Sequence, residues 1–225
     1  SILPWARADV PRVGTGPGWV LSALATPGRH ELVVRVDNRQ LFDVGRSHAY
    51  IEDTQSIWNG IAGKIELRAT PPVWIESVRI NPDPAKAGAQ IRLGNVTGKS
   101  GEGFLRGKLS GPDFEEKIAV PVRWDKDGGT AAIAFEGKKL PRWSDTTPRL
   151  CRLSLTLENP AGENDTSETV SGFRKIATSG PTILLNDIPT FLRGTHEGAS
   201  FPLTGYPPMD VEGWRRIFKI LKEWG

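Results

Sequence analysis

Short segments with an alternating apolar pattern, separated by clusters of turn residues, dominate the chain between Pro72 and Gly180. Large apolar residues occur at every second position from 118 to 124, which is the period of a strand with one buried face. Seven such segments within about 105 residues fit a two-sheet antiparallel sandwich. Pro121 lacks an N–H group, so its strand is predicted to lie at a sheet edge. The predicted strands are 73–80, 90–96, 103–109, 116–124, 130–135, 151–157 and 168–176.

Composition supports a mainly β protein. The 25 glycines and 18 prolines among 225 residues argue against long helices over most of the chain. Hydrophobic residues make up 38% and charged residues 24% of the chain, which is enough apolar material to build a core and excludes wholesale disorder. A chain of this length has room for one large domain or two ordinary ones.

Charge and cysteine content narrow the possible partners and sites. The net charge of +3 gives no reason to expect a nucleic-acid partner. We expect no membrane partner, since no apolar run approaches 18 residues, and the first residues do not form a signal-peptide pattern. The localisation therefore stays unknown, with cytoplasmic, periplasmic and secreted forms all open. Cys151 lies on the apolar face of strand 151–157, so a buried thiol is predicted.

Pattern changes divide the chain into three predicted regions. Alternating strands near 31–36 and 63–68 precede the proline pair Pro71-Pro72, which marks a linker. After Gly180 a hairpin is predicted, with strands at 182–185 and 188–192 around an Asn-Asp turn. The predicted domains are residues 1–70, 71–178 and 179–225.

A helix is predicted over 210–224, with Asp210 as N-cap and Gly225 at its end. Its apolar residues form one stripe. Because an exposed apolar stripe rarely stays in water on a monomer, we expect a homo-oligomer through this helix. The stripe consists of Val211, Trp214, Ile217, Phe218, Leu221 and Trp224.

Several motifs favour an ordinary structural role. Residues 94–100 resemble a phosphate loop but have three residues between the glycines where four are needed, so a turn is predicted. Ser47 and His48 are neighbours on extended chain and point opposite ways, which argues against a hydrolytic pair. The three histidines show no zinc spacing. We predict no metal site and no cofactor.

The segment around Trp58 has the chemistry of a sugar platform. An exposed indole ring can stack on sugar C–H groups, while neighbouring carboxylate and amide groups bind hydroxyls. The alternative is a Trp that plugs the end of a sandwich, with Asn59-Gly60 as a turn. The candidate carbohydrate-binding residues here are Asp53, Gln55, Trp58 and Asn59.

Five segments in the same order resemble glycoside hydrolase family 2, the family of β-galactosidases and β-glucuronidases. Two are similar to the end of its sugar-binding jelly roll, two to its immunoglobulin-like domain, and the last and most specific to the start of its catalytic barrel. Trp143 fits the middle domain, and Cys151 replaces the usual tyrosine. The segments are 27–38 (PGRHELVVRVDN), 58–63 (WNGIAG), 148–153 (PRLCRL), 172–174 (GFR) and 185–197 (LNDIPTFLRGTHE).

The resemblance implies a fold: a partial jelly-roll β-sandwich (1–70), then an immunoglobulin-like β-sandwich (71–178), then the first βα unit of a truncated barrel (179–225). A full barrel needs about 250 residues, whereas 45 follow Gly180. The family's two catalytic glutamates belong to later barrel strands, so no catalytic residue is assigned. By the same resemblance, His196 and Glu197 would line the sugar pocket.

We therefore expect a non-catalytic fragment of a family 2 β-glycosidase that acts as a scaffold or binds carbohydrate. Two alternatives stay open. One is a free-standing carbohydrate-binding module that uses Trp58 and its neighbours. The other is a small hydrolase or esterase with its own site, for which Ser47 and His48 are the candidates.

Overall fold

The computed structural model describes Gly28, Arg29, Glu31, residues 68–192, Gly194, Phe201, residues 203–205 and residues 207–224. The predicted jelly-roll strands near 31–36 and 63–68 lie almost wholly outside this part of the chain. The chain divides into two compact units, one spanning residues 65–196 and the other made of residues 1–64 and 197–225. The domain boundaries predicted after residues 70 and 178 stay a prediction.

Seven strands of the first unit form a sandwich of two antiparallel sheets. Six of the seven strands were predicted within a few residues of their observed bounds, and the predicted mainly β fold with one C-terminal helix is confirmed. The strands are β1 (Val73–Asn81), β2 (Gly88–Asn95), β3 (Gly101–Gly111), β4 (Phe114–Trp124), β5 (Gly129–Ala134), β6 (Cys151–Glu158) and β7 (Asp165–Ser171).

The strand order is β1-β2-β5 in one sheet and β4-β3-β6-β7 in the other. In an immunoglobulin-type sandwich the first, second and fifth strands pair, and the third, sixth and seventh pair opposite them. The present sandwich has this arrangement, with its fourth strand beside the third. A short 3₁₀ turn (Pro84–Lys86) connects β1 to β2.

The core lies between the two sheets, where the alternating apolar side chains of both inner faces meet. Phe173, just after β7, is fully buried and meets Phe135 edge to face, with ring centroids 6.0 Å apart. Burying these side chains is the main force that stabilises the sandwich. Fully buried members include Ile91, Leu93, Leu105, Leu109, Leu153 and Leu157.

A β-bulge interrupts β1 between Ile75 and Ser77. Before the bulge the buried residues are Val73 and Ile75, whereas beyond it Val78 and Ile80 pack against the core. One extra residue, Glu76, therefore changes which alternate positions face inward. If the same residues formed a regular strand with no bulge, Val78 and Ile80 would face solvent.

Pro121 lies on β4, which is the outer strand of the four-stranded sheet. The predicted edge position is therefore confirmed. In register, Pro121 is opposite Phe104 of β3, and the missing N–H group leaves the pairing of the two strands continuous.

The predicted strand 168–176 is divided in the structure. It ends in β7 at Ser171, and β8 (Ile176–Ser179) begins a separate three-stranded sheet with β9 (Thr182–Leu185) and β10 (Ile188–Pro189). The break has a physical cause, since the backbone N–H of Arg174 donates to the carbonyl oxygen of Pro82 at 2.8 Å rather than continuing the ladder. We call β8–β10 the hairpin sheet.

The helix α1 covers Val211–Glu223. Asp210 is its N-cap, and its Oδ1 accepts a hydrogen bond from the N–H of Gly213 at 2.6 Å. This bond satisfies one of the free donors at the first turn. In the described part of the chain no helix is both long enough and apolar enough to cross a bilayer.

Candidate functional site

The residues predicted to bind carbohydrate lie outside the described part of the chain. This applies to Asp53, Gln55, Trp58 and Asn59 and equally to His196 and Glu197. Ser47 and His48, the candidates for an alternative hydrolase, lie outside it as well. Their roles stay predictions.

Residues 94–100, which resemble a phosphate loop, form the turn between β2 and β3. The side chain of Asn95 occupies this turn, since its Nδ2 donates to the carbonyl oxygens of Lys99 and Asp125 at 2.8 and 2.6 Å. Its Oδ1 accepts from the backbone N–H of Thr97 at 2.9 Å. A side chain that satisfies the loop internally gives the segment a structural role.

Cys151 is buried at the start of β6, as its position in the alternating pattern predicted. Burial raises the pKa of its thiol, because the apolar surroundings disfavour the charged thiolate. A neutral, enclosed thiol is a poor nucleophile. Its Sγ also limits Gly111, where an added Cβ would lie 2.7 Å from the sulfur.

Asp165, on β7, is the buried charged side chain of the described residues, with 8% of its surface exposed. Its Oδ2 accepts a hydrogen bond from the backbone N–H of Ile75 at 2.8 Å. Ile75 belongs to β1, so this bond joins the outer strands of the two sheets. The carboxylate also covers a backbone donor on an edge strand, which discourages pairing with other chains. No pattern in the sequence predicts this contact.

Ion pairs across neighbouring strands cover the outer face of the four-stranded sheet. Arg106 pairs with Glu158 at 2.7 Å, and Arg152 pairs with Glu168 at 2.9 Å. All four side chains are largely exposed, so each pair contributes little to stability. This face is a solvated surface whose carboxylates already have cationic partners.

The hairpin sheet is tied to the sandwich through Trp143 and Asn186. The Nδ2 of Asn186, in the β9–β10 turn, donates to the carbonyl oxygen of Trp143 at 2.9 Å. The guanidinium of Arg174 lies over the Trp143 ring, 5.2 Å from its centroid, an arrangement in which the cation is attracted by the ring. We call these three residues the junction.

Several apolar side chains in or just after the hairpin sheet, and several on α1, are exposed. Phe191 is 85% exposed and Trp224 is 88% exposed, with Phe218 at 55%. On α1, the ring of Trp214 stacks on that of Phe218, with ring centroids 5.9 Å apart. The Nε1 of Trp214 donates to the carbonyl oxygen of Pro208 at 2.8 Å. The predicted stripe is therefore present on α1, and most of its members are open to solvent.

Among the residues that the structure describes, no three His, Cys, Asp or Glu side chains are grouped so that they could hold a metal ion. A shallow groove of about 410 Å³ runs past the β1–β2 connection. Arg79, Lys86 and Gln90 contribute to its lining.

Comparisons with known proteins place these observations in context. No protein-family model matches the chain. A β-galactosidase from Enterobacter cloacae is 29% identical over 220 residues, which is 90% of this chain and 20% of that protein. A β-galactosidase from Pectobacterium atrosepticum is 35% identical over 94 residues, which is 41% of this chain and 9% of that protein.

Among solved structures, the GH2 β-galacturonidase from Eisenbergiella tayi bound to galacturonate is 17% identical, with a TM-score of 0.48. The match covers 63% of this chain and 26% of that one.

The sequence similarities confirm the predicted resemblance to glycoside hydrolase family 2. They are similarities to a part of those enzymes, since the chain spans about a fifth of the length of the Enterobacter relative. The similarity therefore does not establish the activity of the full-length relatives for this chain.

Proposed function

We propose that this chain is a structural segment of a family 2 β-glycosidase and has no glycosidase activity of its own. The observation that supports the proposal is the match to one fifth of a β-galactosidase over 90% of the present chain. The described part of that match is a sandwich with a continuous apolar core, which suits a scaffold that holds neighbouring regions in place.

The chemistry of glycoside hydrolysis supports the same proposal. A retaining glycosidase needs two carboxyl groups about 5–5.5 Å apart on either side of the scissile bond. On the described sheet faces Glu158 and Glu168 are paired with arginines, and Asp165 is enclosed between the sheets with a backbone N–H as its partner. Asp165 has a structural role, and Glu158 and Glu168 already have arginine partners on the exposed sheet face.

The test is a release assay on highly purified chain with chromogenic aryl β-galactosides and β-glucuronides. We expect no leaving-group release above the level of a mock preparation from the same host. Release that a single substitution such as Glu197→Gln abolishes would overturn the proposal. An aryl ester assay with wild type and Ser47→Ala examines the hydrolase alternative, which requires activity that the substitution removes.

We further propose that the segment contributes carbohydrate contacts through Asp53, Gln55, Trp58 and Asn59, with His196 and Glu197 as a second group. The support is the chemistry of these side chains and the similarity to β-galactosidases. Aromatic stacking with flanking carboxylate and amide groups is suited to a sugar ring.

Calorimetric titration with β-linked galactosides and glucuronides tests this binding. We expect weak binding by the wild type, at least tenfold weaker in Trp58→Ala, which is a loss of about 1.4 kcal/mol. Trp224→Ala is the matched control, because Trp224 is an exposed tryptophan outside the proposed contacts. A silent wild type, or an equal loss in both variants, would remove the proposal.

The predicted homo-oligomer has no support from the relatives and is kept only as a proposal. The exposed stripe on α1 is its sole basis. Light scattering over a range of concentrations should show a mass above the monomer that Phe218→Lys reduces. A monomer at every concentration would dispose of it.

A further inference from the structure

The side chain of Asn186, in the turn between β9 and β10, makes two hydrogen bonds to residues outside the turn. Asn186 and Asp187 have φ angles of 53° and 68°, as a two-residue hairpin turn of this kind requires. The Oδ1 of Asn186 accepts from the backbone N–H of Lys175 at 3.1 Å, and its Nδ2 donates to the carbonyl oxygen of Trp143 at 2.9 Å. The turn itself needs neither of these bonds.

A turn former would need only the left-handed backbone conformation. Glycine adopts that conformation without steric cost, and asparagine tolerates it, so the turn alone does not require an asparagine side chain. The two hydrogen bonds of the Asn186 side-chain amide instead join it to Lys175, just before β8, and to the loop that contains Trp143. The bond to Lys175 extends the pairing of β8 with β9, where the N–H of Asn186 also donates to the carbonyl oxygen of Lys175 at 2.8 Å. The bond to Trp143 is the one that connects the hairpin sheet with the sandwich.

Trp143 is itself held against the core. Its backbone N–H donates to the carbonyl oxygen of Phe173 at 2.9 Å, and the Phe173 side chain is fully buried. The indole ring packs on Gly172, where an added Cβ would lie 2.6 Å from ring atoms. Only glycine permits this close approach, so the position of the ring is fixed by the backbone beneath it.

Arg174 covers the ring from above. Its guanidinium is 5.2 Å from the ring centroid, and its Nη1 donates to the carbonyl oxygen of Gly172 at 3.0 Å. Trp143 is half-buried and is held by the backbone of Phe173, the close approach of Gly172 and the guanidinium of Arg174. A bond to its carbonyl oxygen is a bond to a fixed part of the sandwich.

We infer that Asn186 is a positioning residue that locks the hairpin sheet onto the sandwich, so that the chain leaves β10 in one fixed direction. The consequence for function rests on the proposed carbohydrate contacts, because the chain that follows β10 leads to His196 and Glu197. Asn186 sets the direction from which that segment begins, and it contacts no sugar itself.

The experiment measures orientation directly and uses no sugar. Spin labels are attached at Lys117→Cys on β4 and Ile188→Cys on β10, both exposed positions. Cys151 stays in place because its thiol is buried. Pulsed electron resonance then gives the distribution of distances between the sandwich and the hairpin sheet, and thermal unfolding is followed on the same samples.

With Asn186 intact we expect one narrow distance distribution. Asn186→Gly keeps the turn conformation and removes both hydrogen bonds of the side-chain amide. The width of the distance distribution should therefore increase about twofold, with little change in the melting temperature. Asn186→Asp keeps the acceptor for Lys175 and loses the donor to Trp143, so it should also broaden the distribution. Gly172→Ala displaces the Trp143 ring and should broaden the distribution with Asn186 unchanged.

Asn159→Gly is the matched control, since Asn159 bonds the N–H of Ala161 within the distant β6–β7 turn. A distribution in Asn186→Gly as narrow as in the wild type, or equal broadening in Asn159→Gly, would overturn the inference. If Asn186→Gly fails to fold, the distance distribution of Asn186→Asp replaces it as the test, and a width equal to that of the wild type would overturn the inference. Failure of sugar binding in the calorimetric test leaves this result untouched, so the two proposals can fail separately.

Discussion

The sandwich and the hairpin sheet are built from similar strands but bury their apolar residues to different degrees, since no residue of β8–β10 is fully buried. Phe173 at the sandwich is fully buried, whereas Phe191 just beyond β10 is 85% exposed. In the sandwich two sheets face each other, so each apolar face has a partner, whereas in the described part of the chain no second sheet covers the hairpin sheet. An apolar pattern therefore predicts an element, and a second layer decides whether that element is buried.

Paired truncations of these two phenylalanines sharpen the comparison most. Phe173→Ala removes a fully buried ring that contacts Phe135 and should destabilise the sandwich by about 3–5 kcal/mol. Phe191→Ala removes an exposed ring and should change stability by no more than about 0.5 kcal/mol. Urea unfolding followed by fluorescence measures both values. Similar losses in the two variants would contradict the contrast between the regions.

The next effect concerns the polar contact between the sheets. Asp165→Ala leaves the N–H of Ile75 without its acceptor and should destabilise the sandwich by about 1–3 kcal/mol. Asp165→Asn retains an acceptor oxygen and should lose less, which makes it the matched control. Urea unfolding gives the two values, and hydrogen exchange at the Ile75 amide should accelerate in the alanine variant. Unchanged exchange would show that the carboxylate is dispensable.

The helix offers a third contrast, because local contacts support it where the sandwich depends on its core. A 13-residue helix is marginal in water on its own. Asp210→Ala removes the cap of Gly213 and should weaken the helix by about 1 kcal/mol. Hydrogen exchange in the first turn of α1 measures the change, while β-strand amides serve as the internal reference. Equal acceleration in the strands would mean that helix and sandwich unfold together.

The smallest effect is expected at the sheet edge. Pro121→Val restores an N–H on the outer strand β4 and should alter stability by no more than about 0.5 kcal/mol, since the ladder to β3 already forms without it. Val120→Pro, one residue earlier, is the control and should be strongly destabilising, because neighbouring residues of a strand direct their N–H groups to opposite sides. Thermal melting distinguishes the two variants. A large loss in Pro121→Val would contradict the edge assignment.

The sequence was sufficient for the strands of the sandwich because burial imposes a period of two residues. The segments around Val122 and Leu155 show that period clearly, and β4 and β6 occur where it predicts them. The edge position of Pro121 and the burial of Cys151 followed from elementary properties of the two side chains. Both were confirmed.

Contacts between distant segments could not be predicted in the same way. Asp165 is 90 residues from Ile75 in sequence, and nothing in its neighbourhood marks it as buried. The Asn-Asp turn was predicted from its residues, but the bond from Asn186 to Trp143 depends on how separate segments fold together. The same limit applies to the proposed carbohydrate contacts, whose arrangement depends on residues far apart in the chain.

The bulge in β1 bears on how this segment can vary in length. Removing Glu76 alone would bring Val73, Ile75, Val78 and Ile80 into strict alternation, so the apolar side would keep all of its members. Loss of a residue elsewhere in a sandwich strand would instead move the apolar side chains of the remaining part of that strand to the solvent face. A one-codon deletion in the gene is therefore best tolerated at this position, and homologous genes that differ by one residue in this strand would be expected to differ here.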